Sequence, residues 1–174
     1  GHPRSADRHG KERPFLPSPT FLQVALNGDR IHPAAPRTPT GIAEAASAAV
    51  RAGAHSVHVH AFDQAGRETL DAAACAEVLR HFRRVCPHTP VSLTTSATIV
   101  ADPMERLRVI DGWTVLPDLV TVNQGEPGII ALCELLLSRG VALEAGLLTS
   151  DDARAFVASG LGERCRRVLI EPLD

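Results

Sequence analysis

From Thr20 onward, short apolar segments alternate with amphipathic segments of helical length, and this alternation constrains the fold more than any other feature. Segments of the first kind predict strands at 21–28, 56–63, 91–97, 119–124, 142–147 and 167–171. Segments of the second kind predict helices at 39–52, 71–85, 103–112, 127–139 and 150–159. A regular β-α-β-α order predicts an α/β fold in which helices cover a parallel sheet.

The chain length limits how large this fold can be. A complete (β/α)8 barrel usually needs about 250 residues, and the chain has 174. Periodicity alone leaves two architectures open, an open six-stranded sheet and a barrel without its last two β/α units. Residues 1–19 are polar and carry four prolines, so we expect a flexible N-terminal tail followed by one domain over 20–174.

One face of the predicted strands is unusually polar. Because side chains alternate along a strand, the following residues share that face: Gln23, Asn27, Ser56, His58, His60, Ser92, Thr94, Ser96, Thr121, Asn123 and Glu144. The opposite face is mainly Val and Leu. A doubly wound sheet is apolar on both faces, so one polar face favours a barrel whose interior opens into a site. Barrel active sites lie at the carboxyl ends of the strands.

The most specific motif is Val57-His58-Val59-His60. Two imidazoles at i and i+2 of a strand point the same way and can reach one metal ion, and catalytic zinc commonly takes three protein ligands and water. The alternative is a pair of histidines whose nitrogens are satisfied by neighbouring hydroxyls and carbonyls.

Two further charged residues face the predicted site. Glu144 lies on an inward strand face, where an unpaired carboxylate is costly, so either catalysis or an ion pair with a residue such as Arg30 explains it. Arg30 follows the first predicted strand and could bind a carboxylate; the alternative is a solvated arginine.

Composition excludes several classes of function. Lys+Arg number 18 and Asp+Glu 20, so no strong field favours nucleic acid or anionic lipid. The chain has no Tyr, one Trp and five Phe, which leaves few platforms for base stacking. No apolar run is long enough to span a membrane. The four cysteines form no C-x-x-C pair, and we expect reduced, buried thiols in the cytoplasm.

At these motifs the chain resembles the β-keto acid cleavage enzymes, whose named member is the 3-keto-5-aminohexanoate cleavage enzyme. The resemblance runs in order through most of the sequence after residue 19. The matching stretches are Val24-Ala25-Leu26-Asn27-Gly28, Thr38-Pro39, Ala52-Gly53-Ala54, Val57-His58-Val59-His60 with Asp63 and Gly66-Arg67, Leu93-Thr94-Thr95 and Val120-Thr121-Val122-Asn123. Weaker matches are Glu126-Pro127-Gly128, Leu143-Glu144-Ala145-Gly146 and Val168-Leu169-Ile170-Glu171-Pro172.

The resemblance implies a zinc-dependent TIM barrel enzyme that transfers an acyl group from a β-keto acid to acetyl-CoA, giving acetoacetate and a new acyl-CoA. By this match His58 and His60 are the zinc histidines. The expected catalytic residues are Thr94, Thr121 and Glu144. The residues expected to contact the substrate are Asn27, Arg30 and Asn123.

The sequence also departs from the family pattern. The family's third zinc ligand is a glutamate late in the barrel, which we expect beyond Asp174, so the chain reads as a short-form barrel of about six units without the last two. Strands left at open edges would favour a homo-oligomer. Two other functions stay open: a metal-dependent barrel hydrolase, although those enzymes typically carry H-x-H on the first strand, and an inactive fragment that only binds or associates.

Overall fold

A computed structural model of the protein describes residues 20–171. The predicted tail of residues 1–19 lies outside the described residues. The strands are β1 (Gln23–Ala25), β2 (Ser56–Val59), β3 (Ala61–Phe62), β4 (Glu68–Thr69), β5 (Val91–Thr94), β6 (Leu119–Asn123), β7 (Ala142–Leu147) and β8 (Arg167–Ile170). The helices are α1 (Pro39–Arg51), α2 (Ala72–Val85), α3 (Pro103–Asp111), α4 (Ile129–Ser138) and α5 (Ser150–Ser159), followed by a 3-10 turn at Gly162–Arg164.

The main sheet of the described chain has six parallel strands in the order β1-β2-β5-β6-β7-β8. Each strand pairs with the next along this order, with a helix in every connection from β1 to β8. This is the predicted β/α repeat, and it winds in one direction without reversal, as in a barrel.

The sheet curves so strongly that its first and last strands share contacts across the polar face. The amide of Gln23 on β1 reaches the carboxylate of Glu144 on β7 at 3.5 Å. Its oxygen also accepts a hydrogen bond from Arg167 on β8. Side chains on opposite edges of a flat six-stranded sheet could not meet, because neighbouring strands are about 4.8 Å apart. The fold is a partial TIM-type barrel, as expected from the sequence.

The convex face of the sheet carries the hydrophobic core. Its fully buried strand residues include Val57, Leu93, Val120 and Leu143, all from the apolar face that the sequence predicted. Helix side chains such as Ile42, Leu79, Phe82 and Leu136 cover them. Burial of this layer supplies the main stabilisation of the fold, and it leaves the concave face to polar groups. No helix in the described part of the chain is both long and apolar enough to cross a membrane.

Five of the six predicted strands are shorter in the structure, and only 142–147 keeps its predicted bounds. One hairpin is new. The predicted strand 56–63 breaks at His60, whose backbone N–H donates to the side-chain oxygen of Asn27 at 2.7 Å rather than to a strand. Ala61–Phe62 then pairs antiparallel with Glu68–Thr69, around a turn in which Gly66 has a φ of 74°. The predicted strand 21–28 is reduced to Gln23–Ala25, and beyond it Asn27 donates its amide to the carbonyl of His60.

Candidate functional site

Four polar side chains from the two halves of the sheet meet inside the curve. Ser56 donates a hydrogen bond to the oxygen of Gln23 at 2.9 Å, and Glu144 receives one from Thr121 at 2.7 Å. Gln23 and Glu144 lie within 3.5 Å of each other. The network joins β1, β2, β6 and β7, so it fixes the base of the concave face below the histidine pair.

Glu144 forms the ion pair that the sequence left open beside catalysis, but its partner is Arg167 and not Arg30. The Glu144 side chain is 3% exposed and forms a salt bridge with Arg167 of the adjacent strand. The two residues are direct partners in the parallel register. Arg30 instead lies exposed in the loop after β1. The guanidinium compensates the buried carboxylate, which would otherwise be costly.

His58 projects from β2 toward two hydroxyls on neighbouring strands. Its Nδ1 lies 3.0 Å from Oγ of Ser92 and 3.5 Å from Oγ1 of Thr121. Burial, followed by the charges of His60 and Arg167, lowers the pKa of His58 to about 3. The imidazole is therefore neutral near pH 7, the state in which histidine binds metal ions.

His60 lies one step further along the same face of the sheet. Its Nδ1 is in contact with a carboxylate oxygen of Glu68 in the β3–β4 hairpin. Its backbone is held by Asn27, which accepts from the N–H and donates to the C=O at 3.1 Å. The rings of His58 and His60 stand edge to face, with centroids 5.2 Å apart.

Both imidazoles use Nδ1 for a hydrogen bond, and within residues 20–171 no hydrogen bond reaches either Nε2. Thr121 donates its hydroxyl proton to Glu144. The hydroxyl oxygen of Thr121 therefore faces His58 with its lone pairs, and this favours a proton on Nδ1 of His58. Glu68 has the same effect on His60. A carboxylate or hydroxyl bonded to one ring nitrogen is the usual support for a metal ligand at the other. Among residues 20–171, no group of three or more His, Cys, Asp or Glu is arranged to hold a metal ion, so the pair would contribute two ligands.

The other predicted site residues are placed as follows. Thr94 is 6% exposed, lies opposite Thr121 in register, and accepts a hydrogen bond from the backbone of Ser96 at 3.2 Å. Asn123 ends β6, and its amide donates to Glu126 at 3.0 Å. Asn27 donates both amide protons to backbone carbonyls, those of Pro36 at 2.8 Å and His60 at 3.1 Å.

Sequence reasoning did not identify Glu68 or Arg167 as part of the site. Arg167 begins a strand and alternates with exposed apolar residues, a pattern that says nothing about a partner on β7. Glu68 follows the turn at Gly66, and only a prediction of the β3–β4 hairpin could have brought it beside His60.

The decisive comparison is with protein families. Residues 19–157 match the beta-keto acid cleavage enzyme family. The chain belongs to this family. The resemblance inferred from the histidine motif and the flanking stretches is confirmed.

Two solved structures are similar to this member of the beta-keto acid cleavage enzyme family over part of their length. A mandelate racemase/muconate lactonizing protein from Herpetosiphon aurantiacus is 13% identical over 86% of this chain and 54% of its own, with a TM-score of 0.40. An L-Ala-D/L-Glu epimerase is 15% identical over 88% of this chain and 57% of its own, with a TM-score of 0.39. The chain thus spans little more than half the length of these structures. No curated protein matches it.

Proposed function

We propose that this chain provides the histidine half of a zinc-dependent site that cleaves β-keto acids and transfers the acyl group to CoA. In this reaction a β-keto acid and acetyl-CoA give acetoacetate and a new acyl-CoA. Membership of the beta-keto acid cleavage enzyme family supports the general activity. The observation that carries the zinc proposal is the pairing of His58 and His60, each with Nδ1 occupied and Nε2 left over.

The donor set fits zinc. Neutral imidazole nitrogen is a common zinc ligand, and the lowered pKa keeps His58 neutral over the physiological pH range. The supporting contacts come from Ser92 on the adjacent strand and from Glu68 in the hairpin, so both rings are held before a metal ion arrives. Within residues 20–171 the pair supplies two of the three protein ligands that a catalytic zinc commonly takes.

When bound, zinc would act as a Lewis acid that polarises the keto oxygen and stabilises negative charge released by C–C cleavage. The chain's own residues would orient the zinc ligands and bind the substrate. Thr121 donates to Glu144, so its lone pairs face Nδ1 of His58 and can accept a proton held on that nitrogen. Arg167 forms a salt bridge with Glu144, and Glu144 accepts the hydroxyl proton of Thr121 and thereby orients that hydroxyl. Thr94 has its own hydroxyl proton to donate to a substrate carboxylate.

The residues proposed to bind the substrate lie at or beyond the carboxyl ends of the strands. Arg30 is exposed in the loop after β1, where its guanidinium can meet a carboxylate in bidentate fashion. Asn27 acts on the site through His60, whose backbone it holds. Asn123 faces the same end of the sheet from β6. Acetyl-CoA as co-substrate, a homo-oligomer and a cytoplasmic location stay predictions.

Metal analysis followed by an activity assay tests the proposal. The purified chain is dialysed against zinc, and bound metal is measured by mass spectrometry in the wild type, His58→Ala and a matched control, His88→Ala, which lies in an exposed loop. We expect zinc in the wild type and control and its loss in His58→Ala. Equal zinc in all three proteins would refute the metal site. Acetoacetate formation from acetyl-CoA and a panel of β-keto acids then tests the reaction.

A further inference from the structure

A buried arginine lies behind the polar face, outside the histidine site. Arg106 of α3 is 1% exposed. Its guanidinium donates to a carboxylate oxygen of Glu126 at 2.6 Å and to the carbonyl oxygen of Pro127 at 2.6 Å. Because an arginine side chain stays protonated, Glu126 is required as its counter-charge.

The other carboxylate oxygen of Glu126 holds two segments that carry predicted site residues. It accepts the backbone N–H of Ala97 at 2.9 Å, three residues beyond Thr94. It also accepts the side-chain N–H of Asn123 at 3.0 Å. One side chain therefore joins α3, the β5–α3 loop and the carboxyl end of β6.

The neighbours of the Glu126 carboxylate donate to it, and they include the hydroxyl of Ser96 at 3.4 Å. A carboxylate only accepts, so it satisfies Arg106, Ala97 and Asn123 at once. A glutamine of the same shape could not, because its NH2 group would meet a donor whichever way the amide was turned.

This arrangement fixes the orientation of the Asn123 amide. Its nitrogen is committed to Glu126, so its oxygen must face the other way, toward Gly146, its register partner on β7. A Cβ at Gly146 would collide with that oxygen, so only glycine at this position leaves space for the Asn123 oxygen. Within the described residues the oxygen accepts no hydrogen bond, which leaves it available to a ligand.

We propose that Glu126, anchored by Arg106, is a positioning residue of the site. It fixes Asn123 so that the amide oxygen is presented at the carboxyl end of β6 as an acceptor for an N–H or O–H group of the bound substrate. The part concerning substrate rests on the proposed function, whereas the fixed amide does not.

Side-chain amide NMR on the purified chain tests the fixed amide directly. The Asn123 NH2 resonance is assigned by its disappearance in Asn123→Asp, and its hydrogen exchange is compared in the wild type, Glu126→Gln and a control, Glu105→Gln. Glu105 lies on α3, beside Arg106, in an exposed ion pair with Arg108. We expect exchange at Asn123 to be about tenfold faster in Glu126→Gln and unchanged in the control.

A double variant, Arg106→Met with Glu126→Gln, separates positioning from general damage. Without the guanidinium, the glutamine oxygen is free to turn toward Asn123 and Ala97, and its NH2 toward the carbonyl of Pro127. We expect the slow exchange at Asn123 to return. If Glu126→Gln alone does not fold, the double variant decides: a protected Asn123 amide supports the proposal, and its absence overturns it. Unchanged exchange in a folded Glu126→Gln protein also overturns it.

The substrate part is tested with the zinc-loaded protein. We expect the KM for the β-keto acid to rise about tenfold in Glu126→Gln, with a smaller change in kcat, and to recover in the double variant. An unchanged KM in an active enzyme would overturn this part. An inactive wild type with a protected Asn123 amide would contradict the proposed function and leave the positioning role supported.

Discussion

The hydroxyl oxygen of Ser92 lies 3.0 Å from Nδ1 of His58 on the neighbouring strand. The two residues are direct partners in the parallel register of β2 and β5, so the sheet itself sets the contact. A rigid strand is a more precise support than a loop. The ring of His58 is therefore oriented, with Nε2 left for another partner, by the same pairing that builds the fold.

Removing the support of either histidine should weaken metal binding without abolishing it. We expect Ser92→Ala and Glu68→Gln each to lower zinc affinity by roughly 10- to 100-fold, the usual cost of losing a partner behind a metal ligand. Competition with a chromophoric chelator measures the change. Ser138→Ala, at an exposed serine of α4, serves as the control. Wild-type affinity in both Ser92→Ala and Glu68→Gln would mean that the two contacts do not orient metal ligands.

Loss of Arg167 should destabilise the fold. Arg167→Met leaves the buried carboxylate of Glu144 without its counter-charge, and we expect the free energy of unfolding to fall by about 3 kcal/mol, measured by urea denaturation. A second substitution, Glu144→Gln, removes the uncompensated charge and should restore most of the loss. If the single and double variants are equally unstable, lost packing rather than an unpaired charge is the cause.

Gly125 should not tolerate a side chain. A Cβ there would meet the carboxylate of Asp152. That carboxylate cannot move away freely, because it accepts the N–H groups of Leu148 at 2.9 Å and Thr149 at 3.0 Å at the start of α5. We expect Gly125→Ala to cost about 1–3 kcal/mol of unfolding free energy. Gly162→Ala, where a Cβ meets nothing within 4 Å, should be close to neutral; equal thermal shifts for the two variants would contradict this account.

Two thiols should be unreactive in the folded protein. Burial is the main cause that raises the pKa of Cys75 and that of Cys133 to about 12. At pH 8 the thiolate fraction of such a group is about 10⁻⁴. Cys165 is partly exposed and should be alkylated first. Peptide mapping after iodoacetamide treatment measures the order, and early modification of Cys75 or Cys133 without unfolding would contradict it.

The same raised pKa values predict how stability depends on alkaline pH. A thiol with a raised pKa in the folded state stays protonated while the unfolded thiol, with a pKa of about 8.5, has already ionised. Its contribution to stability is complete below pH 8.5 and is lost as the pH rises toward about 12. We expect the urea midpoint to fall above pH 8.5, and to fall less in a Cys75→Ala variant measured against its own value at pH 7.

Much of the fold was predictable because its signals are local. The β/α order, the parallel sheet and the apolar face containing Val57 and Leu143 follow from periodicity over a few residues. The β3–β4 hairpin was not predicted, because the break at His60 depends on a hydrogen bond that its N–H donates to Asn27, 33 positions away.

The candidate site also combines features that were predictable from local sequence with features that were not. The amino-acid sequence by itself determined that His58 and His60 share a polar strand face, because alternation along a strand is a local property. Only the tertiary structure decided that Glu144 pairs with Arg167, that Glu68 supports His60, and that Gln23 meets Arg167 over a separation of 144 residues. Those partners depend on the register and the curvature of the whole sheet. Both arise from the packing of the convex core, so no single segment of the chain determines them.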